Sequence, residues 1–266
     1  MTYKFGFIGA GNMGGALLTA AAENNPDIKI SVFDVFQEKA VEYSQKYNNV
    51  DSVSLEKTVT ESEYVFIGVK PQMAKELFSD IAPLFSSSNP VLISMLAGTS
   101  IERLCELSGK EMPVIRIMPN TPASIGEGVI LYCSNDKVSQ AQVDYFVKAM
   151  SGAGLLDKID ENKIDAASAV SGCGPAFCYM FIEALADGAV ECGIPRDKAM
   201  MYAAKMLSGS ADMVLQSGKH PGALKDAVCS PGGTTIAGVH ALEDGAFRSA
   251  VMNAVTAAYK RTLELK

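Results

Sequence analysis

Two glycine-rich segments of the sequence have the residue types and spacing of anion-binding sites. Gly9-Ala10-Gly11-Asn12-Met13-Gly14 fits the pattern G-x-G-x-x-G, between a strand-like run at 5–8 and a helix-like run at 16–22. In that context the first glycine permits a tight turn, the second lets the backbone approach a pyrophosphate, and the third allows close helix–strand packing. The segment predicts a dinucleotide site at a helix N-terminus; the alternative is a glycine-rich turn that binds nothing.

An acidic residue follows at the distance that such a site requires. Asp34 comes directly after a second predicted strand at 29–33, 20 residues beyond Gly14. A carboxylate there accepts hydrogen bonds from the adenosine ribose hydroxyls and repels a 2′-phosphate. Lys39 is the nearest cation downstream and no arginine lies nearby, so the residues favour NADH over NADPH. The alternative is a solvated loop aspartate.

The second segment, Ser230-Pro231-Gly232-Gly233-Thr234-Thr235, has the pattern of a loop that leads into a helix. Thr234 or Thr235 is predicted as the N-cap. Such a turn directs several backbone N–H groups to one point, where they can receive a carboxylate. The local sequence by itself favours the alternative, an ordinary capped helix start.

Composition narrows the remaining chemistry. The chain has 266 residues, 48% of them hydrophobic, which suits one large domain or two modest ones. A net charge of −7 disfavours nucleic acid or an anionic membrane as the main partner. With two histidines, His220 and His240, no metal site is predicted. Six cysteines without a CxxC pair are typical of reduced thiols in a cytoplasmic protein.

Strand-like and helix-like segments alternate through the first half of the chain. We predict strands at 4–8, 29–33, 64–69, 91–95, 114–118, 129–133 and 154–156. Helices are predicted at about 12–23, 37–46, 73–85, 101–107 and 139–150. This alternation indicates βαβ units and a mostly parallel sheet, so the predicted fold is an α/β Rossmann domain over residues 1–158.

Residues 159–266 have helical periodicity only, which predicts an all-α domain. Its helices are expected at 159–192 with a break at 172–175, then at 196–216, 224–228, 234–242 and 246–265. Helices this few and this apolar cannot close a core alone, so the domain is predicted to oligomerise. The uncharged stretches at 5–22 and 166–182 contain glycines, and we predict both as buried segments rather than signal or membrane segments.

The full string from Leu224 to Ile236 closely resembles the signature of pyrroline-5-carboxylate reductases, enzymes of proline biosynthesis. The resemblance runs over the whole chain. In order, the other segments that carry it are Phe7 to Gly14, Val69-Lys70-Pro71, Ala97-Gly98, Met118-Pro119-Asn120-Thr121-Pro122, Ala169 to Ala176, and Glu183 to Gly188. One position departs from the pattern: many members carry small or basic residues at Asp34 and use NADPH, although the family accepts either cofactor.

The resemblance implies that hydride passes from C4 of NADH or NADPH to the C=N carbon of 1-pyrroline-5-carboxylate, giving L-proline. The backbone N–H groups of Gly233, Thr234 and Thr235 would bind the substrate carboxylate, and the Thr235 hydroxyl would contact the imine nitrogen. A homodimer is also implied, assembled into a larger homo-oligomer, with the substrate site at the dimer interface. The implied contacts to the nicotinamide half of the cofactor are Val69, Lys70, Pro71, Ala97, Gly98, Asn120 and Thr121.

Two other functions are compatible with this fold. A β-hydroxyacid dehydrogenase also joins a Rossmann domain to a helical domain, but it carries a catalytic lysine on the first long interdomain helix, and residues 164–196 contain no lysine. A non-catalytic NAD(P)-sensing protein would not need the receptor loop at residues 230–236. Both features favour the reductase.

Overall fold

The computed structural model describes residues 2–264, which form two compact units. The first unit comprises residues 2–173 together with 258–264, and the second comprises residues 174–257. The boundary predicted between the Rossmann domain and the helical domain, after residue 158, rests on the change from alternating strands and helices to helices alone. It stays a prediction. Leu265, which we expected to end the last helix, lies outside the described residues, as do Met1 and Lys266.

An eight-stranded sheet, ordered β3-β2-β1-β4-β5-β6-β7-β8, forms the centre of the first unit. The first six strands run parallel, β7 is antiparallel to β6, and β8 is parallel to β7. The predicted Rossmann fold with a mostly parallel sheet is confirmed. The strands are β1 (Tyr3–Ile8), β2 (Ile30–Phe33), β3 (Val50–Ser52), β4 (Ser62–Ile67), β5 (Val91–Ser94), β6 (Val114–Met118), β7 (Gly128–Ser134) and β8 (Gly154–Lys158).

Helices cover both faces of this sheet, because successive residues of each strand point into different hydrophobic clusters. In β4, Tyr64 and Phe66 belong to one cluster, and Val65 and Ile67 belong to the other. The helices of the unit are α1 (Asn12–Asn24), α2 (Gln37–Lys46), α3 (Leu55–Thr60), α4 (Ala74–Ile81), α5 (Ile101–Ser108), α6 (Gln140–Met150) and α7 (Glu161–Ser171). We did not predict β3 or α3, which are too short to display a periodicity.

Charged side chains fasten α7 to the sheet. Arg116 of β6 is 2% exposed, and its Nη2 lies 2.8 Å from Oδ1 of Asp165. Its Nη1 lies 3.3 Å from Oε1 of Glu161, and the same oxygen accepts a hydrogen bond from the backbone N–H of Ile101 at 2.7 Å. The start of α7 is therefore held against both β6 and the start of α5.

The second unit is helical and exposes most of its apolar side chains. Its helices are α8 (Gly174–Glu191), α9 (Arg196–Ser217), α10 (Pro221–Ala227), α11 (Thr234–Asp244) and α12 (Phe247–Glu264), the last of which ends in the first unit. Between residues 174 and 257 the buried hydrophobic residues are Ala186, Ala199 and Ala203. Within residues 2–264, the helices leave many of the larger apolar side chains of this unit exposed.

The prediction that residues 166–182 form a buried segment is therefore wrong for α8. Ala169 of α7 is buried, but Tyr179 and Met180 are 60% and 69% exposed. By length and composition, the helical stretch at 161–191 is the one part of the described chain that could cross a membrane, and an 18-residue window within it has a mean hydropathy of 1.3. One such stretch is weak evidence, and a turn at Gly172 and Cys173 interrupts it.

We expect the exposed apolar face of α8 to be covered by another copy of the chain, so Met180→Asp should weaken self-association. An unpaired carboxylate in an apolar interface costs about 3 kcal/mol or more, which corresponds to about a hundredfold or more in the dissociation constant. Sedimentation velocity over a concentration series measures this change. Leu155→Asp in β8, where Leu155 is 62% exposed against 69% for Met180, is the control that should leave assembly unchanged. A wild-type chain that stays monomeric at all concentrations would contradict the prediction.

Candidate active site

The predicted cofactor-binding residues all follow the carboxyl ends of parallel strands. Gly9, Ala10, Gly11, Asn12, Met13 and Gly14 follow β1, and Asp34 follows β2. Val69, Lys70 and Pro71 follow β4, Ala97 and Gly98 follow β5, and Asn120 and Thr121 follow β6. Because the strands are parallel, these positions share one edge of the sheet. The strand order reverses between β1 and β4, which is where open α/β sheets bind ligands.

The three glycines of the first segment have different steric requirements. Gly9 has a φ of +98°, in the left-handed region that favours glycine, and its N–H donates to the carbonyl of Phe33 at 2.8 Å. A Cβ on Gly14 would lie 2.1 Å from the carbonyl oxygen of Gly9, so α1 packs against the end of β1 only without it. A Cβ on Gly11 would have no atom within 4 Å. The space beside Gly11 is therefore unoccupied by protein atoms and is open to a ligand.

The N-terminus of α1 is suited to an anion. Gly11 is the N-cap and provides no side-chain acceptor, and the first turn contains no acidic residue. The N–H groups of Asn12, Met13 and Gly14 have no acceptor within the helix, because the first turn of any α-helix leaves its donors unpaired. Those donors and the helix dipole together favour a phosphate group at this end.

A cleft of about 390 Å³ lies beside this turn. Five of the predicted residues line it: Gly9, Gly11, Asp34, Val69 and Lys70. Sequence reasoning missed the others, although a position just after β2 or β4 could have identified Val35, Phe36 and Gly68. The additional lining residues are Ile8, Phe33, Val35, Phe36, Lys39, Leu55, Gly68, Met73, Glu76, Leu77 and Asp80.

Asp34 is held in place by two backbone groups. Its Oδ2 accepts a hydrogen bond from the N–H of Ala10 at 2.7 Å, and its Oδ1 accepts one from the N–H of Phe36 at 2.9 Å. Phe36 is 57% exposed, and Nζ of Lys39 lies 5.0 Å from the centroid of its ring. The rim of the cleft therefore combines a fixed carboxylate, an accessible aromatic ring and a cation.

The remaining predicted cofactor residues do not line this cleft, and the side chain of Asn120 has a structural role. Asn120 is 7% exposed, and its Oδ1 accepts from the N–H of Val129 at 2.9 Å. Its Nδ2 donates to the carbonyl of Ser171, the last residue of α7, at 2.9 Å. The predicted cofactor residues that do not line the cleft are Ala10, Asn12, Met13, Gly14, Pro71, Ala97, Gly98, Asn120 and Thr121.

The second glycine-rich segment forms the start of α11 in the second unit. Gly232 has a φ of +67°, and the N–H of Gly233 donates to the carbonyl of Ser230 at 3.0 Å. Gly233 is the N-cap and the helix begins at Thr234, so the prediction of a threonine N-cap is wrong. The reason is the extended backbone of Gly233, with φ −81° and ψ 171°, which places both threonines in the first turn. The N–H groups of Thr234 and Thr235 have no acceptor within the helix.

Neither histidine is placed as a buried acid or base. His220 is the N-cap of α10, and its Nδ1 accepts a hydrogen bond from the N–H of Gly222 at 3.0 Å. His240 is 78% exposed, and its Nε2 lies 3.3 Å from Oδ2 of Asp244. Within residues 2–264 no group of three or more histidine, cysteine, aspartate or glutamate side chains is arranged to hold a metal ion.

A larger cavity, of about 1280 Å³, lies elsewhere on the first unit, and none of the predicted site residues lines it. Cys133 and Glu161 are in its wall. Burial and, to a lesser extent, the nearby Glu161 carboxylate raise the pKa of the Cys133 thiol to about 11, although the Arg116 guanidinium lowers it slightly. Cys133 is therefore protonated at neutral pH and is a poor nucleophile.

The different surroundings of Gly11 and Gly14 give a paired prediction. Gly11→Ala should fold with wild-type stability but weaken NADH binding roughly tenfold or more, because its methyl group would occupy the space beside the turn. Gly14→Ala should lower the free energy of unfolding by about 1–3 kcal/mol or more, since a backbone oxygen is in its way. Urea unfolding and fluorescence titration with NADH measure the two effects. Unchanged NADH affinity in Gly11→Ala would contradict the role given to this turn.

Two family models match the chain. The model described as "NADP oxidoreductase coenzyme F420-dependent" matches residues 4–98, which contain both the glycine segment and Asp34. The model described as "pyrroline-5-carboxylate reductase dimerisation" matches residues 161–265 and thus contains α8 and the start of α11. The two matches fall on the sheet-containing part and the helical part of the chain.

Relatives match over the whole length. A pyrroline-5-carboxylate reductase from Glycine max is 39% identical over 266 residues, which cover 99% of this chain and 96% of the relative. The crystal structure of Plasmodium falciparum pyrroline carboxylate reductase with NADP bound has a TM-score of 0.87 at 35% identity, over 98% of this chain and 97% of that one. A pyrroline-5-carboxylate reductase from Coxiella burnetii has a TM-score of 0.91 at 28% identity, over 100% and 99%. This chain belongs to the pyrroline-5-carboxylate reductase family.

Proposed function

We propose that this chain reduces 1-pyrroline-5-carboxylate to L-proline with NADH or NADPH, the last step of proline biosynthesis. The observation that carries the proposal is the full-length match to reductases of this name, at 39% identity for the Glycine max enzyme. The two glycine-rich helix starts agree with it, because the reaction needs receptors for two anionic ligands. Membership of this family favours the reductase over the dehydrogenase and the sensor.

The residues at the edge of the sheet fit a dinucleotide. The open side of Gly11 and the donors of Asn12, Met13 and Gly14 would hold the pyrophosphate, and Asp34 would accept from the adenosine ribose. When bound, a reduced nicotinamide supplies the hydride that adds to the C=N carbon of the substrate. Along the same edge we propose that the nicotinamide half is held by Val69, Lys70, Pro71, Ala97, Gly98, Asn120 and Thr121.

NADH is the proposed preferred cofactor. The carboxylate of Asp34 is fixed on the wall of the cleft by two hydrogen bonds, so it cannot turn away from a 2′-phosphate. Two further carboxylates, those of Glu76 and Asp80, line the same cleft, and the cations that line it are those of Lys39 and Lys70. A second phosphate group on the ribose would therefore meet repulsion that NADH avoids.

The start of α11 is the proposed receptor for the substrate carboxylate. The N–H groups of Thr234 and Thr235 are free of intrahelical partners, and the helix dipole adds to their attraction for an anion. Gly233 contributes the extended backbone that opens the turn. Its own N–H would also donate to the carboxylate once its hydrogen bond to the carbonyl of Ser230 breaks. The hydroxyl of Thr235 is assigned to the imine nitrogen.

This arrangement explains how the reaction proceeds without a strong acid. A cyclic imine becomes much more electrophilic when its nitrogen is protonated, and solvent can supply that proton before hydride transfer. The chain must then hold the carboxylate and keep the imine nitrogen oriented, for which a hydroxyl that donates or accepts is sufficient. The exposed positions of His220 and His240 agree with this division of roles.

We further propose that residues 1–158 form the dinucleotide-binding domain and residues 159–266 the helical dimerisation and substrate domain. The exposed apolar residues of α8 support a homodimer as the basic unit of a larger homo-oligomer. A cytoplasmic location is proposed because all six cysteines are free thiols.

Steady-state oxidation of NADH and of NADPH in the presence of 1-pyrroline-5-carboxylate tests the function and the cofactor preference together. We expect turnover with both, and a kcat/KM about tenfold or more higher for NADH, which corresponds to roughly 1.4 kcal/mol of repulsion at the 2′-phosphate. No oxidation of either cofactor would reject the function. A large preference for NADPH would reject the assignment of Asp34 and leave the function standing.

Thr235→Ala should lower kcat/KM for 1-pyrroline-5-carboxylate by about ten- to a hundredfold, because it removes a hydrogen bond to a polar or charged group of the substrate. The dissociation constant for NADH should stay within about twofold, since the removed hydroxyl is assigned to the imine nitrogen and not to the cofactor. Thr60→Ala is a matched control: the Thr60 hydroxyl donates only to the carbonyl of Glu56 within its own helix. Wild-type turnover by Thr235→Ala would remove this residue from the site.

A further inference from the structure

The hydrogen bonds of Asp34 link three segments of the cofactor cleft. Oδ2 accepts from Ala10, in the middle of the glycine turn, and Oδ1 accepts from Phe36, just before α2. Among the described hydrogen bonds, the one to Ala10 is the only bond that a side chain makes to residues 9–14. The Asp34 carboxylate therefore connects the end of β2 to the turn that follows β1.

The turn depends on this bond because its own backbone offers few others. The N–H of Gly9 donates to the carbonyl of Phe33, which fixes the first residue of the turn. Ala10 is 6% exposed, so without the carboxylate its N–H would be a buried donor with no acceptor. An unpaired donor there would favour a different path for Ala10 and Gly11, and the donors at the start of α1 would move with them.

We propose that Asp34 is a positioning residue that holds the glycine turn in the conformation which receives the pyrophosphate, in addition to any contact with the ribose. The proposal rests on the proposed cofactor cleft and extends it. The proposal has a specific consequence. Replacing Asp34 to admit NADPH would also loosen the turn and weaken the binding of every ligand that carries a diphosphate.

A ligand without ribose hydroxyls separates this role from ribose recognition. 2′,3′-Dideoxyadenosine 5′-diphosphate keeps the adenine and the diphosphate and lacks both hydroxyls. If Asp34 acts only on the ribose, substituting it cannot weaken this ligand. Electrostatics alone gives the opposite sign from the proposal, because removing a carboxylate near a diphosphate should tighten binding.

Calorimetric titration of this ligand into the wild-type chain, Asp34→Asn and Asp34→Ser is the direct test. Asparagine has one acceptor oxygen for two N–H groups, and serine is too short to reach both, so we expect each variant to bind about tenfold more weakly. Asp80→Asn is the matched control: it removes the same charge from the same cleft, and it should bind equally well or more tightly. Binding that is unchanged or tighter in both Asp34 variants would overturn the proposal.

Backbone hydrogen exchange provides a second measurement that does not depend on how the variants fold. In the wild-type chain without ligand, the amide of Ala10 should be protected, because its donor is buried and bonded to Asp34. Rapid exchange at Ala10 beside protected amides in β1 would overturn the proposal. Failure of the proposed function is distinguishable: a chain that does not reduce 1-pyrroline-5-carboxylate would still give the calorimetric and exchange results.

Discussion

The contact between Gly14 and the carbonyl oxygen of Gly9 determines how the first unit is built around its ligand site. A Cβ on Gly14 would lie 2.1 Å from that oxygen, so α1 starts against the end of β1 only because residue 14 is a glycine. Because of this close approach, α1 begins directly at the end of β1, beside the point where the strand order reverses. Asp34 then fixes the turn from the side of β2. The backbone therefore supplies the donors of the receptor, and the carboxylate of Asp34 holds that backbone in place.

The same principle recurs in the second unit with different residues. Gly232 takes a left-handed conformation and Gly233 an extended one, and α11 begins with two threonines whose N–H groups have no partner in the helix. Two helix starts of this kind suit two anionic ligands. The nicotinamide provides the reactivity in the proposed reaction, and the chain provides orientation.

Local patterns made the sheet and the first helix predictable, because the glycine spacing and the runs of apolar residues act within a few positions. The strand predicted at 64–69 is observed two residues earlier, at Ser62–Ile67. Its first residue, Ser62, is buried, and the Ser62 hydroxyl lies 3.0 Å from that of Ser31, a tertiary contact that no local pattern reveals. The two bonds of Asp34 and the structural role of Asn120 depend on loops that meet only in the folded chain. The sequence predicted that the helical region leaves apolar surface uncovered, but it did not identify α8 as an exposed helix, because an apolar stretch such as 166–182 has the same composition whether it is buried or exposed.

A crystal structure of the chain with NAD⁺ and L-proline tests the central claim most directly, namely that two helix N-termini receive the two anionic ligands. The account predicts the pyrophosphate at the start of α1, beside Gly11, and the proline carboxylate within hydrogen-bond distance of the N–H groups of Thr234 and Thr235. A pyrophosphate held elsewhere, or a carboxylate bound by lysine or arginine side chains away from α11, would contradict it.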